Sequence, residues 1–140
     1  MTNFLLDTDS YKASHWLQYP PRTVGMFSYL ESRGGTFTST VFFGLQYLLK
    51  EYLSKPITME MVDEADTFLK AHGIPFNRIG WERVVTVHAG RLPVRIRALP
   101  EGTVVPTLTP LMTVESTDPE CFWVVSWLET LLLRMWYPIT

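Results

Sequence analysis

Apolar positions along the chain recur with two periods, and the changes between them mark the expected elements. Thr23 to Glu31 reads as a strand, with Val24, Met26, Ser28 and Leu30 alternating with Gly25, Phe27, Tyr29 and Glu31. Both sets contain bulky apolar residues, so the pattern predicts cover on both faces. Arg33-Gly34-Gly35 breaks the strand. Phe42, Leu45, Leu48, Leu49, Tyr52 and Leu53 then recur at helical spacing until Ser54-Lys55-Pro56 stops them. A second helix is expected after Thr58 as N-cap, with Glu60 in its first turn and Ile57 placed to staple onto Val62. Its inward stripe is Met61, Val62, Ala65, Phe68 and Leu69, and Gly73 with Pro75 closes it. Asn77 is positioned to cap a third helix carrying Trp81, Val84, Val85 and His88 on one side. The β-formers from Val84 to Val87 leave a strand as the alternative there.

From Leu92 the period becomes two, with Val94, Ile96 and Ala98 facing one way and Arg95 and Arg97 the other, until Pro100-Glu101-Gly102 supplies a turn. Val104 to Pro106 and Leu111 to Glu115 follow as short strands. Asp118-Pro119-Glu120 then combines an N-cap acceptor, a proline at the first helical position and an acid near the positive end of the helix dipole. The helix it starts is apolar on nearly every side from Cys121 to Tyr137, and Pro138 ends it. Glu129 and Arg134 would each cost about 3 kcal/mol at a bilayer centre, so this is a buried helix and no membrane span is expected. Its cover comes from this domain or from protein outside the chain, and exposure would lead to self-association. The sum is an α+β domain over residues 1–140, with a mainly antiparallel sheet and packed helices.

Composition narrows the function classes. With 140 residues, 46% of them hydrophobic, the chain is long enough to bury a core without a staple. The one cysteine, Cys121, cannot form an internal bridge, and the first residues carry no basic region or long apolar run. Together these point to a reducing, cytoplasmic setting without export. A formal charge of −2 argues against a nucleic-acid partner. Arg91, Arg95 and Arg97 are the nearest thing to a basic patch, and strand alternation explains the last two as a solvated face.

Motifs for nucleotide loops, zinc proteases and serine hydrolases are absent. His15, His72 and His88 are too scattered to suggest a metal site, and Cys121 reads as a buried thiol or as one stabilised at a helix start. Two segments carry chemistry. In Thr8-Asp9-Ser10-Tyr11-Lys12, calcium is rejected because Lys12 stands where a calcium loop needs glycine. Asp9 there reads as an acceptor of backbone N–H groups at a short helix running toward His15. In Glu31-Ser32-Arg33-Gly34-Gly35, a strand gives way to glycines and then to Thr36, Thr38, Ser39 and Thr40 before a helix. That arrangement suits a phosphate or a plain turn beside a solvated arginine.

Those two segments, with Gln18-Tyr19-Pro20-Pro21, Ser28 to Gly35 and Val41 to Tyr47, closely resemble the N-terminal part of the nicotinamide phosphoribosyltransferase family. Leu92-Pro93-Val94, Ala98 to Gly102, Thr113 to Cys121 and Trp136-Tyr137-Pro138 resemble it in the same order. The resemblance implies a type II phosphoribosyltransferase, in which nicotinamide displaces pyrophosphate from phosphoribosyl pyrophosphate to give nicotinamide mononucleotide, a salvage step toward NAD. It implies a homodimer with sites at the subunit interface. Asp9 and Tyr11 would reach the nicotinamide site of the neighbouring subunit, and Arg33 would contact the phosphates of the ribosyl donor. It further implies that the family's α/β barrel is absent here, that this segment alone is inactive and binds no cofactor, and that Mg²⁺ and ATP serve the full-length enzyme.

The residue types suit these roles. A pyridine ring gains from stacking on the Tyr11 phenol, Asp9 favours an amide that donates hydrogen bonds, and Arg33 offers a planar fork to phosphate. Two rival readings stand beside this one: a structural or dimerisation module without substrate contacts, and a nicotinate-specific relative, which Asp9 opposes by like-charge repulsion. One local departure is Thr107-Leu108-Thr109-Pro110, where the family often has a glycine-containing turn.

Overall fold

The computed structural model describes residues 3–135. Two 3₁₀ helices, Phe4–Leu6 and Ser10–Leu17, lead into strands β1 (Phe27–Glu31) and β2 (Ser39–Val41). Helix α1 (Leu45–Leu48) continues as a π-helical stretch over Leu49–Leu53, and helices α2 (Met59–Ala71) and α3 (Arg78–Val87) follow. Strands β3 (Val94–Ala98), β4 (Val104–Pro106) and β5 (Pro110–Ser116), a 3₁₀ turn at Pro119–Cys121 and helix α4 (Val124–Leu133) complete the order.

Side-chain caps start the helices where the polar pattern places them. Thr58 accepts the Met61 N–H at 3.3 Å, and Asn77 accepts the Gly80 N–H at 3.1 Å. The stretch from Val84 to Val87 is therefore helical, because the cap and the buried faces of Trp81 and Val84 outweigh strand propensity. Helix α2 ends in a Schellman motif: Gly73 lies at φ +79°, its N–H bonds Lys70 O, and Ile74 N–H bonds Leu69 O. Val62, Ala65 and Leu69 of the expected stripe are buried, but Phe68 is 56% exposed and Asp66 takes the buried place, paired to Lys70 at 2.7 Å.

Two antiparallel sheets form, one ordered β1-β5-β3 and one pairing β2 with β4, which is the α+β arrangement the periodicity predicts. Pairing puts Phe27 and Tyr29 on the same face as Glu115, Thr113, Arg95 and Arg97. That face is open: Phe27 is 61% exposed, and Arg95 and Arg97 both reach Glu115, at 3.0 and 2.8 Å. The expectation that this strand is covered on both faces fails, since only the Leu30, Met112 and Val114 side is buried. The strand is also shorter than Thr23 to Glu31. After the glycines, the chain enters β2 rather than a helix, so Phe42 is buried at the end of a strand and α1 begins only at Leu45.

Asp118 caps as predicted, accepting the Glu120 N–H at 2.9 Å, but the turn it starts is 3₁₀ and α4 begins at Val124. Helix α4 is covered within the domain, with Val124, Val125, Trp127, Leu128, Leu131 and Leu132 all buried. Trp81 packs edge-on to Trp123 and Trp127, with ring centroids 4.9 and 5.1 Å away. Leu133 is the one large apolar residue left exposed in the described part of this helix, too little for an apolar face that would drive self-association, and the helix's expected end at Pro138 lies outside the described residues. No helix among the described residues is long and apolar enough to cross a membrane.

The loop that departs from the family's glycine turn carries a local strain. Leu108 sits at φ +61° with its side chain exposed, while its N–H bonds Ser32 O at 2.8 Å. A left-handed leucine costs about 1–2 kcal/mol, part of which glycine returns as unfolded-state entropy. Leu108→Gly is therefore expected to stabilise the protein by about 1 kcal/mol, read as a raised thermal midpoint. An unchanged or lower midpoint would show that the leucine side chain contributes more than its backbone costs.

Candidate functional site

The apolar helix α4 carries a polar stripe, Ser126, Glu129, Thr130 and Arg134, at the three- and four-residue spacing of one helix face. The N-terminal segment runs antiparallel along it. Asp7 pairs with Arg134, Asp9 with Thr130, Lys12 with Glu129, and His15 Nδ1 lies 3.2 Å from Ser126 Oγ. Lys12 is only 5% exposed, and a buried ammonium requires such a partner. The two 3₁₀ helices are thus fixed by tertiary contacts rather than by their own short ladders.

These contacts decide where the sequence candidates sit. Tyr11 is 54% exposed, with the His15 ring tilted against it at 5.1 Å and Lys12 Nζ 5.3 Å from its ring centroid. Its phenol is therefore backed on the protein side and open outward. Asp9 stands two residues earlier and is also exposed. Its carboxylate does not cap Ser10–Leu17, contrary to expectation, because it is diverted to the Thr130 hydroxyl at 2.8 Å.

Arg33 lies on a different segment. It lines a groove of about 340 Å³ whose floor includes Met112, Val114, Val125 and Leu132 and whose polar wall includes Glu31 and Glu129. Glu129 connects the two regions, since it also holds Lys12. No direct contact joins Arg33 to Asp9 or Tyr11 among the described residues. The hydroxyl-bearing run after Gly35 does not form a helix N-terminus; it leads into β2, with Thr107 N–H bonding Thr38 O at 3.1 Å. Arg33 is thereby separated from the rest of the expected phosphate cradle: Gly34, Gly35, Thr36, Ser39 and Thr40 line a smaller cavity of about 50 Å³, which Arg33 does not line. Glu129, Thr130 and Ser126 were not among the sequence candidates, although their helical spacing on an otherwise apolar helix was the available signal.

One further cluster joins α3 to the start of the last helical segment. Donor atoms of His88, Asp118 and Cys121 lie within 4.8 Å of one another. The geometry is that of a satisfied hydrogen-bond hub. Buried Asp118 accepts from Arg83 Nε at 2.8 Å and from the Glu120 N–H, and its Oδ2 lies 2.6 Å from His88 Nε2. The Arg83 guanidinium above all, then His88 and the Glu120 N–H, hold the Asp118 carboxyl far below the usual range against the opposing effect of burial. Burial, followed by the Asp118 charge, pushes the Cys121 thiol up to about 11. Cys121 is therefore a protonated core thiol near neutral pH, and the reading of it as a dipole-stabilised thiolate fails. The imidazole nitrogen and thiol sulfur beside the single carboxylate also do not suit Mg²⁺, which takes oxygen ligands.

Comparison with known proteins gives a consistent result. The family described as "Nicotinamide phosphoribosyltransferase, N-terminal domain" matches residues 3–96. A nicotinamide phosphoribosyltransferase of Xanthomonas campestris pv. campestris is 60% identical over 140 residues, covering 100% of this chain and 30% of that protein. One from Acinetobacter baylyi is 29% identical, covering 89% of this chain and 28% of the relative. The chain thus spans under a third of the length of these curated relatives. Among solved structures, human nicotinic acid phosphoribosyltransferase shares the fold, with a TM-score of 0.64 and 24% identity over 91% of this chain and 25% of that one.

Proposed function

This chain belongs to the nicotinamide phosphoribosyltransferase N-terminal domain family, and on that premise we propose that it supplies substrate-contacting residues to an enzyme making nicotinamide mononucleotide from nicotinamide and phosphoribosyl pyrophosphate. The observation that carries this reading is the pair Asp9 and Tyr11, both exposed, Asp9 held directly by Thr130 of α4 and Tyr11 backed by His15 and Lys12, which are themselves bound to Ser126 and Glu129 of that helix. A side chain that only packs has no reason to be braced while facing outward.

In this reading Tyr11 fixes the plane of the pyridine ring, so that the ring nitrogen meets the anomeric carbon in line. Asp9 receives the amide N–H and opposes a carboxylate at the same position. Arg33 holds phosphate from the groove wall with a charge that is always present. The ring contacts are made across the interface of a homodimer, in the cytoplasm, with the rest of the pocket supplied outside these residues. We assign Mg²⁺ and ATP no ligand in this segment, and no step is routed through either.

The test is steady-state kinetics of the complete enzyme carrying Tyr11→Ala or Asp9→Ala. Loss of an aromatic stack of about 1–1.5 kcal/mol corresponds to a KM for nicotinamide raised about tenfold by Tyr11→Ala. Asp9→Ala is expected to weaken nicotinamide use and to narrow the preference over nicotinate. Unchanged nicotinamide kinetics in both variants would remove these assignments.

A further inference from the structure

Thr130 makes two hydrogen bonds to a single residue. Its hydroxyl oxygen accepts the Asp9 backbone N–H at 3.2 Å and donates its proton to Asp9 Oδ2 at 2.8 Å. A hydroxyl has one proton to give. With that proton on Asp9, the Thr8 hydroxyl, 3.4 Å from Thr130 Oγ1 and 3.3 Å from the Trp127 carbonyl oxygen, must be the donor to one of them. The outcome is a closed ring from the Asp9 N–H through Thr130 to the Asp9 carboxylate, which fixes both the backbone and the side-chain rotamer of that residue.

The ring occupies one carboxylate oxygen and spares the other. Oδ1 of Asp9 accepts no hydrogen bond from any described residue, and Asp9 is exposed. We propose that Thr130 is a positioning residue that turns Oδ1 of Asp9 toward the amide N–H of a pyridine carboxamide and so sets the preference for the amide over the corresponding carboxylate. The inference rests on the reading of Asp9 as a substrate contact. Its physical basis is preorganisation. A carboxylate free to rotate must be ordered when the amide binds, and it swings aside when a pyridine carboxylate approaches. Held by Thr130, it can do neither, so attraction for one substrate and repulsion for the other are both retained.

The experiment compares Thr130→Val, which keeps the shape and removes the hydroxyl, with Thr130→Ser, which keeps the hydroxyl, in the complete enzyme. Thr130→Ala is a second hydroxyl-free variant should valine prevent folding. Thr130→Val is expected to raise the KM for nicotinamide about fivefold to tenfold with kcat within about twofold. It should lower the nicotinamide-to-nicotinate ratio of kcat/KM by a similar factor, while Thr130→Ser stays close to the parent. In an Asp9→Ala background, Thr130→Val should add nothing, because its whole effect passes through Asp9. An additive effect there, or equal impairment by serine, would mean that Thr130 acts through packing and would overturn the proposal. Unchanged kinetics in Thr130→Val alongside impaired Asp9→Ala would overturn it while sparing the role of Asp9. Unchanged kinetics in Asp9→Ala would instead remove that role, and the proposal with it.

Discussion

Gly90→Ala is expected to lower the unfolding free energy by about 3–4 kcal/mol, combining a left-handed backbone cost of about 1–2 kcal/mol with about 2 kcal/mol of overpacking. Gly90 follows α3 at φ +76° and is buried where the chain crosses the residues that precede α2. Its carbonyl accepts the Ile57 N–H at 2.9 Å, and its own N–H bonds Val84 O at 3.0 Å, so the backbone is fixed from both sides. A β-carbon at this position would overlap the Ile57 carbonyl oxygen and lie 2.8 Å from Ile57 N and 3.0 Å from Pro56 Cβ. Those are main-chain and ring atoms that cannot rotate away. Gly102→Ala is the control, since Gly102 has φ +89° with nothing within 4 Å of the added carbon. It should lose only the conformational part, about 1–2 kcal/mol. Urea midpoints of the two variants separate the effects, and equal losses would show that the crossing at Ile57 relaxes.

What made such a position hard to read in advance is that its neighbour lies outside its own segment. Local signals were sound wherever the deciding interaction was local. The caps at Thr58, Asn77 and Asp118 each accept the backbone N–H that a cap should accept, and the alternation from Val94 to Ala98 became a strand. The reading of Asp9 as a cap failed for the opposite reason. A partner 121 residues away, Thr130, competes for its carboxylate, and no window around Asp9 contains that residue.

The same limit explains the polar stripe on α4. Glu129 and Arg134 look like interruptions of an apolar helix, whereas they receive Lys12 and Asp7 from 117 and 127 residues earlier. Their spacing was visible in the sequence, but their partners were not, because pairing of distant segments depends on how the intervening sheet folds back. Tyr29 shows the remaining gap. Alternation reveals that both strand faces are apolar but not whether a second layer exists to cover each of them. For the proposed site, Asp9, Tyr11 and Arg33 are candidates through family resemblance, while Thr130, His15 and Lys12, which hold or back the first two, gave no such signal.

Asp118→Ala is expected to cost about 2 kcal/mol, through loss of an N-cap and of the hydrogen bonds that a buried carboxylate accepts from the half-exposed Arg83, and the loss should depend on pH. Asp118 joins α3 to the last helical segment through Arg83 and His88 while capping Glu120. Alanine leaves the Arg83 guanidinium without its acceptor and the 3₁₀ turn without its cap. Because the folded-state pKa of Asp118 lies below its unfolded value of 3.8, the ionised carboxylate contributes stability that is fully present above about pH 5. That contribution diminishes as the pH falls through the unfolded value and is gone only below the folded one. Asp118→Asn keeps the size and an acceptor for Glu120 but abolishes the charge. The difference in urea midpoint between the parent and Asp118→Asn should therefore be large at pH 7 and visibly smaller at pH 3. A difference that stays constant across that range would mean that Asp118 acts as a neutral cap, and that the Arg83 bond adds nothing through its charge.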